Sequence, residues 1–293
     1  MVAIILVNYN GAEDTIECIR SLSAIQNIEY EIVVVDNKST DDSVSKLKCF
    51  QKSKEFTLLE ADCNNGFSAG NNIGIAYASN ADYYLLLNND TIVEPDFLRK
   101  LLGVIKNNPR CGGVIPKILY YSQPDTIWYA GGSFNRKTAR SEHYHFNQKD
   151  TIEEISREVT FASGCCLCVS REVINKIGML NEDFFLYEED TEYCYRMNEA
   201  GFDIIYVPEA VIYHKVSAST GKGSSLSQYY MVRNKYSLIR MHFKGVSKVV
   251  AYLYCTAQFL FRCIKKEQDF KYYKAGVKAF IQHEIGKTQG DIG

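Results

Sequence analysis

The chain has 293 residues, 46% of them apolar and 23% charged, enough for one large domain, or a domain with an extension, around a substantial core. A net charge of −2 and a pI near 6.2 give no overall electrostatic reason to expect a nucleic-acid partner. The ten cysteines read as small hydrophobes in a reducing compartment, because a zinc site on Cys165, Cys166 and Cys168 would need a distant fourth ligand.

Val2–Asn8 is an apolar strand with no basic leader ahead of it, and Asn10–Gly11 follows as a turn. Asp14–Leu22 suits a helix, and Glu31–Val35 a second strand that ends in the polar run Asp36–Asp41. Phe56–Leu59 is a third strand, Gly70–Ala78 a helix, and Tyr83–Leu87 a buried strand running into Asn88, Asn89 and Asp90. This alternation predicts an α/β fold with a mostly parallel central sheet flanked by crossover helices. Polar residues gather at three strand ends, Asn8–Asn10, Asp36–Asn37 and Asn88–Asp90, the edge where open α/β sheets place ligands. Any one of these clusters would also suit a turn or a helix cap.

A helix over Pro95–Asn107 and a strand over Cys111–Ile115 come next. Tyr120–Val159 reads as irregular strands and a loop. In it, Trp128 and Tyr129 offer either a stacking surface for a sugar or packing, and His143 and His145, able to share a metal if they lie on one strand, read as a solvated loop pair. Phe161–Ser170 is apolar but broken at Ser163–Gly164, and a helix starts near Arg171. Phe184–Tyr187 then leads into Glu188, Glu189 and Asp190, followed by a helix through Met197. Three adjacent carboxylates repel one another, a cost that nearby cations or an active-site task would explain. Strands over Asp203–Val207 and Val211–His214 are separated at Pro208. Asp90 supplies a carboxylate of the kind that holds a divalent cation against phosphates, and His214 reads as an imidazole that ligates a metal or contacts phosphate, or as a structural histidine.

Val246–Ile264 is too short and mixed for a membrane span. Arg233, Lys235, Arg240 and Lys244 precede it, and Arg262, Lys265, Lys266, Lys271, Lys274 and Lys278 follow among aromatic residues. The region reads either as amphipathic helices on an anionic cytoplasmic membrane surface, or as helices packed on the catalytic domain or a second subunit.

In order and spacing these fragments resemble glycosyltransferase family 2, in the inverting, rhamnosyltransferase-like branch of bacterial cell-surface polysaccharide synthesis. The resemblance runs over nearly the whole chain. Its parts are VNYN at Val7–Asn10, VVVDNKSTD at Val33–Asp41, NNGFSAGNNIG at Asn64–Gly74 and LLLNND at Leu85–Asp90. SGCCLCVSREV at Ser163–Val173, FFLYEEDTEYCYR at Phe184–Arg196, His214 and YYMVRNKYSLIR at Tyr229–Arg240 complete it. It implies a GT-A type nucleotide-diphospho-sugar transferase fold over residues 1–240, with a nucleotide-sugar half at about 1–118, an acceptor half at about 119–240 and a helical extension at 241–293. It further implies donor contacts from Val7, Tyr9, Asp36, Asn65, Gly66, Asn71, Asn89, Ser163 and Gly164. Mg²⁺ or Mn²⁺ would sit on Asp90 and His214, Asp190 would be the catalytic base with Glu189 beside it, and Trp128 and Glu188 would lie on the acceptor side. Asn88 stands where the family motif usually begins with Asp, which leaves Asp90 as the principal ligand.

The partners implied are a nucleotide-sugar donor and a saccharide or lipid-linked saccharide acceptor, with a homodimer and peripheral contact at the inner face of the cell membrane left open. A catalytically silent sugar-nucleotide-binding or scaffold protein would keep the same strand-end patterns. A nucleotidyltransferase would need a basic glycine-rich loop, and Asn8–Gly11 contains no Lys or Arg.

Overall fold

The computed structural model describes residues 1–151, 155–216 and 224–288. Residues 152–154 of the expected irregular region and 289–293 of the expected extension lie outside the described residues.

The first half alternates strand and helix. β1 (Val2–Asn8), β2 (Tyr30–Asp36), β3 (Thr57–Glu60) and β4 (Tyr83–Asn88) lie side by side as β3–β2–β1–β4, all parallel. β1, β2 and β4 are near-continuous runs of Val, Ile and Leu because helices cover both faces of the sheet. The crossovers are α1 (Ala12–Leu22), α2 (Ser43–Gln51) and α3 (Gly66–Tyr77). α2 buries only Ser43 and Leu47, so it carries little apolar periodicity and leaves no helical signal in the sequence.

α3 begins four residues ahead of the expected Gly70. Gly66 opens it at φ +91°, and a Cβ there would lie 2.0 Å from the Phe185 carbonyl oxygen. Further along, Gly70 and Gly74 let the helix lie directly on Val7 and Ile5 of β1, where a Cβ would approach to 2.7 and 2.5 Å.

The second half widens the sheet with β6 (Cys111–Tyr120), β11 (Cys166–Ser170) and β12 (Asp203–His214). β11 lies antiparallel between β4 and β6, and β12 runs parallel to β6. The parallel order read from the repeats is thus that of β3–β2–β1–β4, and the sheet as a whole is mixed. The two strands expected on either side of Pro208 are one, because Pro208 falls where the β12–β6 register shifts between Val207 and Val211. β5 (Thr91–Val93) pairs antiparallel with the end of β12.

Tyr120–Val159 is more regular than expected. It holds β7 (Gln123–Tyr129), the hairpin β8 (Gly132–Asn135) and β9 (Arg140–His143), and β10 (Arg157–Val159). Around the sheet lie α4 (Phe97–Asn107), α5 (Arg171–Ile177) and α6 (Glu189–Glu199).

Three helices close the chain: α7 (Ser225–His242), α8 (Gly245–Ile264) and α9 (Phe270–Ile281). The boundary expected at 240 falls inside α7. Ala251, Cys255 and Phe259 of α8 and Tyr273 of α9 join Val232 and Tyr236 of α7 in the main core.

Candidate active site

A polar ridge underlies the C-terminal ends of β1, β2 and β4. Asn8 pairs in register with Asp36, and Val7 with Asn88, so the three ends sit level. The Asn8 amide donates to Asp36 Oδ1 at 2.7 Å, and the Ser39 hydroxyl to the same oxygen at 2.6 Å. Asp36 Oδ2 accepts the Ser39 N–H at 2.9 Å. Thr15 of α1 donates to Asn8 Oδ1 at 2.9 Å and accepts from the Asn89 amide at 2.8 Å.

Asp36, expected to face the nucleoside, is 1% exposed and engaged by the loop it holds. Asn71, another expected donor contact, is also buried, with its amide donating to the Phe67 carbonyl one turn back. Tyr9 and Asn65 are exposed, and Val7 is half-buried.

β5 and β12 set Thr91 opposite His214, which brings His214 Nε2 to 3.1 Å from Asp90 Oδ1. Both residues are buried. The Lys215 N–H donates to the Asp90 carbonyl at 3.0 Å and fixes the strand end. Trp128, expected on the acceptor side, is half-buried and packs at right angles against the His214 ring at 4.5 Å between centroids, and lies 5.6 Å from His143.

His143 is likewise no solvated loop residue. β9 turns it into a cluster with Tyr129 and Phe161, while His145 lies in the following turn beside Gln148. Cys165, Cys166 and Cys168 are buried in and beside β11, and burial pushes their thiols up.

Asp90 and His214 suit a divalent cation. They combine a carboxylate oxygen with an imidazole nitrogen, and His214 Nδ1 is buried with no hydrogen-bond partner among the described residues. No group of three or more metal-ligating side chains occurs among the described residues. Where an ion is shared with substrate phosphates and water, one or two side chains suffice.

The acidic loop is built by two elements far apart in sequence. Tyr187 and Glu188 both adopt left-handed backbone, at φ 68° and 72°, before α6 begins. Such conformations persist where the surroundings over-determine them. Here the Asn234 amide of α7 donates to the carbonyls of Leu186 and Tyr187 at 2.8 and 2.9 Å. Lys235 Nζ donates to Glu188 Oε2 at 2.6 Å and to the Ala139 carbonyl at 2.9 Å. Buried Arg233 donates to Asn234 Oδ1 and to the Gly286 carbonyl, and the Gly286 N–H donates to the Asp183 carbonyl, so the residues after α9 strap the same loop.

Asp190 Oδ2 accepts the Gly164 N–H at 2.9 Å, and Oδ1 accepts the Thr191 N–H at 2.6 Å. One residue on, the Cys165 carbonyl accepts the Asn88 N–H at 2.8 Å. The Ser163–Cys165 turn therefore bridges Asp190 to the strand end that carries Asp90.

The three acids differ in environment. Burial raises the Glu188 carboxyl, and Lys235 opposes that shift. Burial, then the neighbouring Asp190 charge, holds Glu189 well above the usual carboxylate range, and its Oε2 has no hydrogen-bond partner among the described residues. Burial and the adjacent Asp190 charge thus favour the protonated form of Glu189.

Thr15, Ser39 and Asn234 are residues that the sequence reading left without a role, and Lys235, read there as one of the basic residues ahead of the C-terminal helices, pairs with Glu188. Asn234 and Lys235 had one signal, the YYMVRNKYSLIR segment, and Ser39 had the VVVDNKSTD segment. Thr15 had none. A cleft of about 450 Å³ opens at the opposite sheet edge, between Met1, Glu29, Asp82 and Lys106. Its terminal ammonium and Asp82 neutralise each other at 2.7 Å, so that cleft carries no comparable chemistry.

A carboxylate–imidazole pair at the strand ends, with a second carboxylate bridged to it, fits a GT-A type glycosyltransferase. The chain belongs to glycosyl transferase family 2, whose model matches residues 3–178. It is 29% identical to the low-salt glycan biosynthesis hexosyltransferase Agl10 of Haloferax volcanii, over 80% of this chain and 74% of that one. It is 26% identical to the dTDP-rhamnosyl transferase RfbF of Shigella flexneri, over 80% and 79%. The same identity links it to the N-acetylglucosaminyl-diphospho-decaprenol L-rhamnosyltransferase of Mycobacterium tuberculosis, over 75% and 77%. The solved structure of GalNAc-T7 with UDP, GalNAc and Mn²⁺ has the same fold, with a TM-score of 0.69 at 15% identity. That match covers 97% of this chain, which spans 58% of the GalNAc-T7 chain.

Proposed function

We propose that this glycosyltransferase inverts the anomeric centre. It moves rhamnose or a hexose from a nucleotide-diphosphate donor to a hydroxyl of a saccharide or lipid-linked saccharide in surface-polysaccharide synthesis, at the cytoplasmic face of the membrane. The observation that carries the reading is the Ser163–Cys165 turn, which hydrogen-bonds Asp190 on one side and the Asn88–Asp90 strand end on the other. The names of the rhamnosyl and hexosyl relatives support the sugar, and the diphospho-decaprenol in one of them supports a lipid carrier.

Asp190 takes the proton of the acceptor hydroxyl as that oxygen bonds to the anomeric carbon. The bond to the diphosphate oxygen breaks on the opposite face, so a single displacement inverts the configuration. Burial of Glu189 disfavours a second full negative charge beside Asp190. Val7, Tyr9, Asn65, Gly66 and Asn89 border the donor cleft. Asp36 and Asn71 shape its floor, and Ser163 and Gly164 hold the turn between donor and base. Asp90 and His214 would hold Mg²⁺ or Mn²⁺, which when bound neutralises charge on the departing diphosphate. Glu188 sets the acceptor-side wall through Lys235.

The test is incubation with dTDP-rhamnose, UDP-GlcNAc or GDP-mannose and a GlcNAc-diphospho-polyprenol acceptor, with product configuration read by NMR. Product of opposite anomeric configuration to its donor is expected. Retained configuration, or no transfer from any donor, overturns the proposal.

A further inference from the structure

α8 has two faces. One carries Ala251, Cys255 and Phe259 into the core against α7 and the β8–β9 turn, where Cys255 meets the Thr138 carbonyl. The other carries Val246, Val249, Leu253, Leu260, Phe261 and Ile264, all exposed, with Val246 at 80%, Leu253 at 67% and Ile264 at 79%. At about 100° per residue these six fall within an arc of about 120°, a continuous apolar stripe along the whole 20-residue helix. An apolar cleft of about 330 Å³ between Tyr236, Tyr252, Tyr273 and Phe280 flanks it. Contiguous exposed apolar surface of this extent marks an interaction site.

The charge around the stripe selects its partner. Residues 245–264 contain no Asp or Glu, and exposed Lys244, Lys265 and Lys266 stand at the two ends, while Lys248, whose Nζ donates to the Arg240 carbonyl, and Arg262 are half-buried on the side of the helix away from the stripe. Residues 241–288 hold nine Lys or Arg against three Asp or Glu, in a chain whose net charge is −2. A second copy fits poorly. Antiparallel pairing of two α8 helices sets the Lys244–Lys248 end on Arg262–Lys266, parallel pairing sets each basic end on itself, and no acid within the helix offsets either.

We infer that this face of α8 lies in the interface of an anionic lipid bilayer, with the stripe at acyl-chain level and the basic ends at the phosphates. No helix among the described residues is long and apolar enough to cross a membrane, so the attachment is in-plane. The inference deepens the proposed function, on which its biological sense rests, since a bilayer-bound enzyme meets a lipid-linked acceptor in two dimensions.

Vesicle flotation tests it with the full chain. Vesicles of phosphatidylcholine with about 30% phosphatidylglycerol should carry the protein up the gradient, and pure phosphatidylcholine should bind about tenfold less. The variant Leu253→Gln/Phe261→Gln/Ile264→Gln changes only exposed positions, and it should lose flotation while keeping the thermal shift given by the nucleotide sugars. Wild-type protein remaining at the bottom with both vesicles, or the variant floating as well as wild type, overturns the inference. So does a wild-type dimer in light scattering that the variant converts to monomer. Because the thermal shift is read on the same samples, failure of the membrane face is distinguished from failure of the donor-binding reading.

Discussion

The Asn234 amide reaches the carbonyl of Tyr187 at 2.9 Å, three residues before Asp190. A helix outside the family-matched segment thus fixes the backbone that launches the proposed base. With Tyr187, one of the two clamped residues, and Glu188 both left-handed just before α6, losing the clamp lets the first turn of α6 shift. Misplacement of about 1 Å can cost about 100-fold in rate. Asn234→Ala should therefore lower kcat by about 10- to 100-fold with the donor KM nearly unchanged, in steady-state kinetics. A fall in melting temperature with wild-type kcat would show a purely structural bond.

Lys235 and Glu188 form a largely buried pair at 2.6 Å. Lys235→Met leaves Glu188 buried without its cation, and breaking such a pair by removing one partner costs about 3–5 kcal/mol. Urea denaturation should show that loss, and Lys235→Met/Glu188→Gln should recover at least about half of it. Equal destabilisation of the single and double variants would contradict the account.

Glu189 makes stability depend on pH. Burial holds its folded-state carboxyl well above the usual carboxylate range, so the folded protein keeps a proton that the unfolded chain releases. Its contribution is complete below the unfolded value and is lost as pH rises through the folded one. Glu189→Gln removes this titration. Its melting temperature relative to wild type should rise from about pH 5 to about pH 8. A constant offset across that range would count against a buried neutral acid.

Asp90→Asn keeps the shape of the side chain but removes its charge. In calorimetry with UDP and dTDP, wild type should bind more tightly with Mn²⁺ than without. Asp90→Asn and His214→Ala should each lose about tenfold or more of that gain. An unchanged metal dependence in both variants would remove the assigned ligands.

The strands and their polar ends were legible because β1, β2 and β4 are buried on both faces and each stops at an Asn or Asp. Asp90, His214 and Asp190 were legible as residue types at strand and helix boundaries. The antiparallel insertion of β11 was not, since an apolar run says nothing of direction. Nor was the burial of Asp36, whose partner Asn8 comes from the neighbouring strand β1. Trp128 read equally well as a sugar platform or as packing, and only the β7–β6 pairing brings it against His214. The clamp from Asn234 and Lys235 depends on how α7 folds back, a long-range contact with no local signal. α8 was legible as amphipathic, but which of its faces stays outside required the position of α7.

The central claim is that Asp190 removes the acceptor proton while Asp90 serves the donor. It is tested most directly by measuring transfer rate and donor affinity together in Asp190→Asn. Donor affinity within about twofold of wild type and transfer reduced at least about 1,000-fold are predicted, the upper part of that loss reflecting removal of a general base. Wild-type turnover by Asp190→Asn would contradict it.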